Sequence, residues 1–289
     1  MDIQRAKTAG FCMGVSLALR KLDRELDITE QVLNQPCIAT YGPIIHNPQV
    51  LEDYAARGVH CLNSTKDVTP QHRIVIRAHG IPHEVENDIR NRGAQVIDAT
   101  CPKVKKAQLG IDEQRRAGRT LLLFGEAEHP EVLGLLSYAG HEAIVFGSEE
   151  ELAAIPLSDA LNYFLAAQTT QDRTAFERIK MQLQERLGHA VPVLETICDA
   201  TRLRQDEAIS IAQHVDAMLV VGGFNSGNTR RLADVAAAQG PFTVHVENIQ
   251  QLSTEHFATL QRAQSIGLTA GASTPKHIID IAENFLLKL

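Results

Sequence analysis

Residues 120–140 read TLLLFGEAEHPEVLGLLSYAG, and this stretch indicates the fold class. A short apolar run ends at Gly125, a polar turn follows, and Pro130 stands where a helix begins, because proline is favoured at the first helical position. The same order of strand, glycine, polar turn and helix recurs in CIATYGPIIHNPQVLEDYAARG at 37–58 and in MLVVGGFNSGNTRRLADVAAAQG at 218–240. The chain therefore contains an internal repeat with three copies of one αβ segment.

A second strand–turn–helix segment accompanies each copy. It reads RIVIRAHGIPHEVENDIR at 73–90, NYFLAAQTTQDRTAFERIK at 162–180 and SIGLTAGASTPKHIIDIAENF at 265–285. Strands that alternate with helices predict parallel sheets with right-handed crossovers. We therefore predict an α/β fold built as a trefoil of three αβ units, related by a pseudo-threefold axis around a central cavity.

The repeat also sets the predicted domain boundaries, because no low-complexity linker interrupts the sequence. The first αβ unit is expected at 1–100, the second at 101–197, and the third, with the C-terminal segment, at 198–289. A chain of 289 residues is long enough for two or three units of modest size.

The composition is that of an ordinary globular protein, with 44% hydrophobic and 22% charged residues. A net charge of −7 and the absence of Trp argue against nucleic-acid binding, which needs a basic surface and often stacking rings. No apolar run approaches the ~20 residues of a membrane span. The start MDIQRAKTAG lacks the pattern of a signal peptide. We expect a cytoplasmic protein that binds neither nucleic acid nor membranes.

Three of the five cysteines occupy equivalent places in the repeat. Cys12, Cys101 and Cys198 are separated by 89 and 97 residues, and each is expected to close a short strand and open a helix. Three thiolates that meet in space suit either a 4Fe–4S cluster with one open iron or a zinc ion with a bound water. Alternatively, all five cysteines are small packing residues. We adopt that interpretation for Cys37 and Cys61, which have no counterparts in the repeat.

Polar side chains follow the predicted strands at the edge where ligands bind in parallel α/β folds. Helix N-termini combined with His, Ser, Thr and Asn side chains suit an anion such as a phosphate. The residues in these positions are His46, His79, His129, Glu131, Thr169, Thr170, Asn225, Ser226, Asn228 and Ser273.

Glu131 has two interpretations. It lies in the first turn of a predicted helix, where a carboxylate is common because it interacts favourably with the helix dipole. It also has the chemistry of a general acid that faces a ligand. The nearby sequence AAQTTQD places Thr169 and Thr170 at the end of a strand. One hydroxyl could cap the next helix, and the other could orient the acid or a substrate hydroxyl.

Several motifs occur in a fixed order along essentially the whole chain. They are AGFCMGV, HNPQVL, RAHG, DATCP, HPEV, QTT, the Cys198 segment, NSGNTRRL and TAGAS. Together they resemble the 4-hydroxy-3-methylbut-2-enyl diphosphate reductase family, which belongs to the methylerythritol phosphate route to isoprenoids. The resemblance implies reductive dehydroxylation of the allylic diphosphate to isopentenyl and dimethylallyl diphosphate. It also implies a 4Fe–4S cluster with an open iron site that passes two electrons from a donor such as ferredoxin or flavodoxin.

The same resemblance implies roles for individual residues. It assigns the cluster to Cys12, Cys101 and Cys198, and it assigns the proton that expels water to Glu131, assisted by Thr169. The residues that it assigns to substrate binding are His46, His79, His129, Thr169, Thr170, Ser226, Asn228 and Ser273. One departure is Gly227, which stands where the family commonly carries a second serine, so one hydroxyl contact to the diphosphate is absent.

Two other functions suit an iron–sulfur protein with three cysteine ligands. An enzyme similar to quinolinate synthase would use the open iron for dehydration and condensation of carboxylate substrates, but the HPEV and QTT motifs argue against it. A non-catalytic iron–sulfur sensor would not need so many polar groups directed at the cluster.

Overall fold

The computed structural model describes residues 1–30, 36–140, 142–158 and 160–289. Strands and helices alternate along the described chain, as the repeat predicts. The strands are β1 (Asp2–Arg5), β2 (Cys37–Tyr41), β3 (His60–Leu62), β4 (His72–Ile76), β5 (Gln95–Asp98), β6 (Thr120–Phe124), β7 (Ile144–Phe146), β8 (Tyr163–Ala167), β9 (Ala217–Val221), β10 (Phe242–Val246) and β11 (Ser265–Ala270). The helices are α1 (Met13–Glu30), α2 (Pro48–Ala56), α3 (His83–Asn91), α4 (Pro102–Arg116), α5 (Pro130–Ala139), α6 (Glu149–Ala154), α7 (Arg173–Leu187), α8 (Asp199–Ala212), α9 (Gly227–Ala237), α10 (Thr254–Arg262) and α11 (Lys276–Leu286).

The six strand–turn–helix segments of the repeat are confirmed. All residues of β6, β8 and β9 are buried, because a strand of a parallel sheet is covered on both faces. A strand directly before a cysteine is present for Cys101, which follows β5. It is not present before Cys12, because β1 ends at Arg5, and Cys198 is preceded by an isolated bridge between Leu165 and Val193.

The chain folds into two compact units, each assembled from separate stretches of sequence. Unit 1 comprises Met1–Ser16, Ile45–Tyr54 and Asp199–Leu289, and unit 2 comprises Leu17–Ile44 and Ala55–Cys198. This division does not test the three αβ units expected at 1–100, 101–197 and 198–289, which stay a prediction.

Unit 1 contains one parallel sheet with the strand order β1-β11-β9-β10. Its central strands contribute a buried aliphatic core that includes Leu219, Leu268 and Ile279. The edge strand β1 pairs with β11 in the register Asp2 to Ser265, although these strands lie at opposite ends of the sequence.

Unit 2 contains two parallel sheets, with the orders β3-β2-β4-β5 and β7-β6-β8. Ile74, Ile76 and Ile89 lie in the core of the first sheet. Aliphatic and Phe side chains, among them Leu122 and Phe176, fill one face of the second. The predicted α/β class with three parallel sheets is thus confirmed.

Among the described residues, no helix has the length and hydrophobicity that crossing a membrane would require.

Candidate functional site

In unit 1, the loop before α1 holds Cys12 in a fixed backbone position. The Cys12 N–H donates to the Ala272 carbonyl at 3.2 Å, and the Cys12 Sγ accepts a hydrogen bond from the Val15 N–H at 3.4 Å. Helix α8 supports this loop, because the buried Arg204 guanidinium donates to the Gly10 carbonyl at 2.7 Å. The Cys12 sulfur therefore lies at the N-terminal end of α1.

A second loop of unit 1 connects β9 to α9 and approaches its neighbours closely at two glycines. A Cβ at Gly222, whose φ is +146°, would lie 2.5 Å from the Thr274 Oγ1. A Cβ at Gly223 would lie 2.6 Å from the His46 carbonyl oxygen. Only glycine at these positions lets the loop pack against the segments that carry His46 and Thr274.

The N-terminus of α9 presents hydrogen-bond donors. Ser226 is the N-cap, and its Oγ accepts from the Thr229 N–H at 3.3 Å, so its own proton can be donated elsewhere. Asn228 is buried, and its Nδ2 has no hydrogen-bond partner within the described part of the chain. Gly227, the first residue of the helix, contributes a backbone N–H but no side chain. This arrangement is typical of anion-binding helix N-termini.

Ser273 and His46 contact each other in unit 1. The Ser273 hydroxyl lies 3.1 Å from the His46 carbonyl oxygen and donates to it. It must therefore rotate before it can donate to a ligand.

In unit 2, two cysteines stand immediately before helices. Cys101 is the N-cap residue of α4, and its N–H donates to the Ala78 carbonyl at 2.9 Å. Cys198 precedes α8, and its N–H donates to the Thr169 carbonyl at 3.1 Å. The segment leading to Cys198 runs along β8, where the Thr196 side chain hydrogen-bonds the N–H and the carbonyl of Ala167.

The buried carboxylate of Glu131 is held by Thr169. Its Oε1 accepts from the Thr169 N–H at 2.6 Å, and its Oε2 accepts from the Thr169 Oγ1 at 2.8 Å. Burial raises the pKa of Glu131 to about 7, although both hydrogen bonds from Thr169 act to lower it. A group with this pKa can hold a proton and release it near neutral pH.

His129 is the N-cap of α5, directly before Pro130. Its Nδ1 accepts from the Glu131 N–H at 3.1 Å. A backbone N–H can only donate, so a neutral His129 carries its proton on Nε2. The His79 ring lies edge-on to it, with ring centroids 5.5 Å apart. Two imidazoles and one carboxylic acid are therefore neighbours in unit 2.

The expectation that a threonine of the QTT motif caps the next helix is wrong. Asp172 is the N-cap of α7, and its carboxylate accepts from the Ala175 N–H at 2.5 Å. Thr169 is occupied by Glu131, and the Thr170 Oγ1 accepts from the Gln168 Nε2 at 3.1 Å. The alternative expectation, that one hydroxyl orients the acid, agrees with the position of Thr169.

The predicted site residues are thus divided between the two units. Unit 1 contains Cys12, His46, Ser226, Asn228 and Ser273, and unit 2 contains Cys101, Cys198, His79, His129, Glu131, Thr169 and Thr170. Within unit 2, Cys37 begins β2 and Cys61 lies exposed in β3, and neither precedes a helix. Sequence reasoning missed the supporting Arg204, which has no local signature apart from its place six residues after Cys198.

The donor set suits a group that takes thiolate ligands. None of the five cysteines, which all lie in the described residues, forms a disulfide. Cys12, Cys101 and Cys198 each stand directly before the first residue of a helix. Thiolate ligands select iron–sulfur clusters and zinc over hard cations such as magnesium.

The fold and these side chains define a parallel α/β protein with candidate ligand-binding groups at the carboxyl ends of its strands. A family model described as LytB protein matches residues 3–286, so the chain belongs to this family.

Relatives and solved structures agree with this family. A protein of Nitratidesulfovibrio vulgaris (strain DP4), named 4-hydroxy-3-methylbut-2-enyl diphosphate reductase, is 68% identical over 293 residues. The alignment covers 100% of this chain and 100% of that protein. The E-1-hydroxy-2-methyl-but-2-enyl-4-diphosphate reductase of Plasmodium falciparum has a similar structure, with a TM-score of 0.91 at 25% identity, covering 98% of this chain and 87% of that one. A structure of (E)-4-hydroxy-3-methyl-but-2-enyl diphosphate reductase, described as the terminal enzyme of the non-mevalonate pathway, matches with a TM-score of 0.68 at 35% identity over 100% of both chains. The predicted family is thereby confirmed.

Proposed function

We propose that this chain is an oxidoreductase that removes the hydroxyl group of (E)-4-hydroxy-3-methylbut-2-enyl diphosphate and yields isopentenyl and dimethylallyl diphosphate. The observation that carries the proposal is the buried Glu131 carboxyl group, with its raised pKa and its two hydrogen bonds from Thr169. Its membership of the LytB family and the names of its relatives support the same reaction.

We propose Cys12, Cys101 and Cys198 as the ligands of one 4Fe–4S cluster per chain. When bound through three cysteines, such a cluster supplies electrons and one iron that no protein ligand occupies. A zinc ion would also accept three thiolates, but zinc has no redox chemistry, and the proposed reaction consumes two electrons. A small redox protein such as ferredoxin or flavodoxin is the proposed electron donor.

Glu131 is the proposed general acid. The allylic C–O bond breaks, and the hydroxyl leaves as water after it takes the proton from the carboxyl group. When Glu131 is protonated, its O–H can donate to the Thr169 Oγ1, and the Thr169 hydroxyl can then donate its own proton to the leaving oxygen. Two electrons and one further proton complete the reaction, so that an allylic alcohol becomes an alkene and water.

The diphosphate is proposed to bind through imidazole, hydroxyl and amide donors. His129 supports this role because its Nδ1 accepts from the Glu131 N–H, which places the proton of a neutral imidazole on Nε2. Ser226 supports it because its hydroxyl proton can be donated to a ligand at the start of α9. Asn228 supports it because its buried Nδ2 has no hydrogen-bond partner among the described residues. The other proposed diphosphate ligands are His46, His79 and Ser273, and Thr170 is proposed to serve the hydroxyl end of the substrate.

The test is anaerobic purification followed by iron and sulfide analysis and by turnover with the allylic diphosphate and a reduced viologen dye. We expect a brown protein with roughly four iron and four sulfide per chain. Cys101→Ala should lose the intact cluster and turnover, whereas the matched control Cys61→Ala, which removes an exposed thiol of the same unit, should keep both. A colourless wild-type protein, or equal damage in both variants, would contradict the proposal.

A further inference from the structure

Asn47 is a buried amide whose orientation is fixed by the backbone. Its Oδ1 accepts from the Val50 N–H at 3.1 Å and so caps the first turn of α2, which has nine residues. Because that N–H can only donate, the amide cannot be flipped, and Nδ2 is the group on its other side.

The Nδ2 of Asn47 is buried without a partner. The residue is 1% exposed, and this nitrogen has no hydrogen-bond acceptor in the described parts of the chain. Buried amide groups in folded proteins almost always have hydrogen bonds, and leaving one unmade is costly. A cap alone does not require this cost, because Ser or Asp caps a helix equally well without burying a second donor.

The surroundings of Asn47 within unit 1 consist of the segments that carry the proposed diphosphate ligands. A Cβ at Gly223 would lie 3.6 Å from the Asn47 Cα, so the β9–α9 loop packs directly against this residue. The preceding residue, His46, accepts from the Ser273 hydroxyl. Asn228, on the helix that this loop enters, has a second buried Nδ2 without a partner in the described residues. Two partnerless amide donors and two helix N-termini favour an anion.

We infer that Asn47 is a further anion-binding residue, whose Nδ2 donates to a phosphoryl oxygen of the diphosphate substrate. This inference rests on the proposed function, because it needs a diphosphate ester as the ligand. Asn47 would then make two hydrogen bonds at once: its Oδ1 accepts from the first turn of α2, and its Nδ2 donates to the ligand. Neither hydrogen bond involves a titratable side chain of the protein.

The probe is inorganic pyrophosphate, titrated calorimetrically into the anaerobic, cluster-containing protein. Asn47→Ser keeps a capping oxygen and removes the amide donor, so we expect about 10-fold weaker binding. Asn47→Asp keeps the cap and places a carboxylate against the anion, so we expect a loss of about 100-fold or more. Thermal melting should show Asn47→Asp to be less stable than the wild type, because its second carboxylate oxygen is buried without a donor, so binding is compared well below the melting temperature of each variant.

The matched control is Asn248→Asp. Asn248 also lies in unit 1 and caps a turn through its Oδ1, which accepts from the Gln250 N–H at 3.1 Å. The affinity of this variant for pyrophosphate should stay within ~2-fold of the wild type, because the substitution keeps the capping oxygen and the Asn248 Nδ2 is not among the buried partnerless donors of the described residues.

Each outcome bears on the inference. If Asn47→Ser and Asn47→Asp bind pyrophosphate as the wild type does, Asn47 is only a cap and the inference is wrong, while the proposed function stands. If the wild type itself does not bind pyrophosphate, the diphosphate site of the proposed function fails and the inference fails with it. Weak binding by both Asn47 variants together with normal binding by Asn248→Asp supports it.

Discussion

Two turns in the molecule hold a glutamate in nearly the same way, yet the two carboxylates differ in protonation. In unit 1, Glu207 accepts from the Lys7 N–H, the Thr8 N–H and the Thr8 Oγ1, at 2.8, 2.9 and 2.6 Å. In unit 2, Glu131 accepts from the N–H and the Oγ1 of Thr169. Each carboxylate therefore binds the backbone and hydroxyl of one threonine.

The difference lies in burial. Partial burial acts to raise the pKa of Glu207, but the hydrogen bonds from Thr8 and Lys7 and the charge of Lys7 outweigh it, so the pKa is lowered. Glu131 is 1% exposed, and there burial outweighs the two hydrogen bonds and raises the pKa to about 7. The same local motif thus accompanies a lowered pKa at Glu207 and a raised pKa at Glu131, because desolvation disfavours the charged form.

Turnover should separate the two glutamates most strongly. Glu131→Gln keeps the size and hydrogen-bonding capacity of the side chain but cannot release a carboxylic proton, so we expect single-turnover rates to fall by ~10²–10⁴-fold. Glu207→Gln, the matched control, should stay within a few-fold of the wild type. Both rates are measured anaerobically on protein with a full cluster complement. A Glu131→Gln rate close to that of the wild type would transfer the acid role to another group.

The pH dependence of stability should have opposite signs for the two glutamates. Glu131 has an ordinary pKa of 4.5 and a folded pKa of about 7, so the folded state holds the proton longer. Its contribution is fully present below pH ~4.5 and is lost as the pH rises through ~7, an effect of about 3 kcal/mol. Glu207 has a lowered pKa, so its contribution is present above its ordinary pKa and is lost as the pH falls through the folded value.

Urea unfolding of the two Gln variants, at matched cluster content, measures this effect. Relative to the wild type, Glu131→Gln should gain stability between pH ~4.5 and ~7. Glu207→Gln should be less stable than the wild type at neutral pH, and the difference should shrink in acid. Parallel curves for the two variants would show that burial does not distinguish the two sites.

The smallest expected effect concerns Gly227 at the start of α9. A serine there would add a hydroxyl to the proposed diphosphate ligands of unit 1, and the φ of Gly227 is not positive, so the backbone tolerates a side chain. We expect Gly227→Ser to bind pyrophosphate ~2- to 10-fold more tightly, the range for one neutral hydrogen bond. Calorimetric titration with pyrophosphate measures this affinity. We expect the single-turnover rate of Gly227→Ser to remain unchanged. Weaker binding would indicate that the ligand lies too close to the helix start for a side chain.

The elements of the fold could be predicted because their signals are local. Strands such as β6 and β9 are continuous apolar runs, as expected for strands covered on both faces, and Pro130 marks the first position of α5. The pairing of β1 with β11 could not be predicted in this way, because it joins residues at opposite ends of the sequence.

The candidate site was only partly predictable for the same reason. The AAQTTQD segment predicted a hydroxyl that orients the acid, and the family resemblance assigned Thr169 to that role, but the pKa of Glu131 depends on its tertiary burial. Asp172 caps α7 in place of a threonine because a carboxylate is a stronger cap than the hydroxyls before it, which are already occupied. The orphaned Nδ2 of Asn47 has no sequence signature, since the oxygen of the same side chain is an ordinary helix cap.

The pairing of β1 with β11 also imposes an order on events during synthesis. All of unit 2 precedes residue 199, so its two sheets can form while the rest of the chain is still being made. Strand β1 is synthesised first but acquires its partner only when Ser265 to Leu268 have emerged from the ribosome. The Cys12 N–H acquires its acceptor later still, with Ala272. Cys12 is therefore the last of the three proposed ligands to be fixed in place, and insertion of the proposed cluster should complete only at the end of folding.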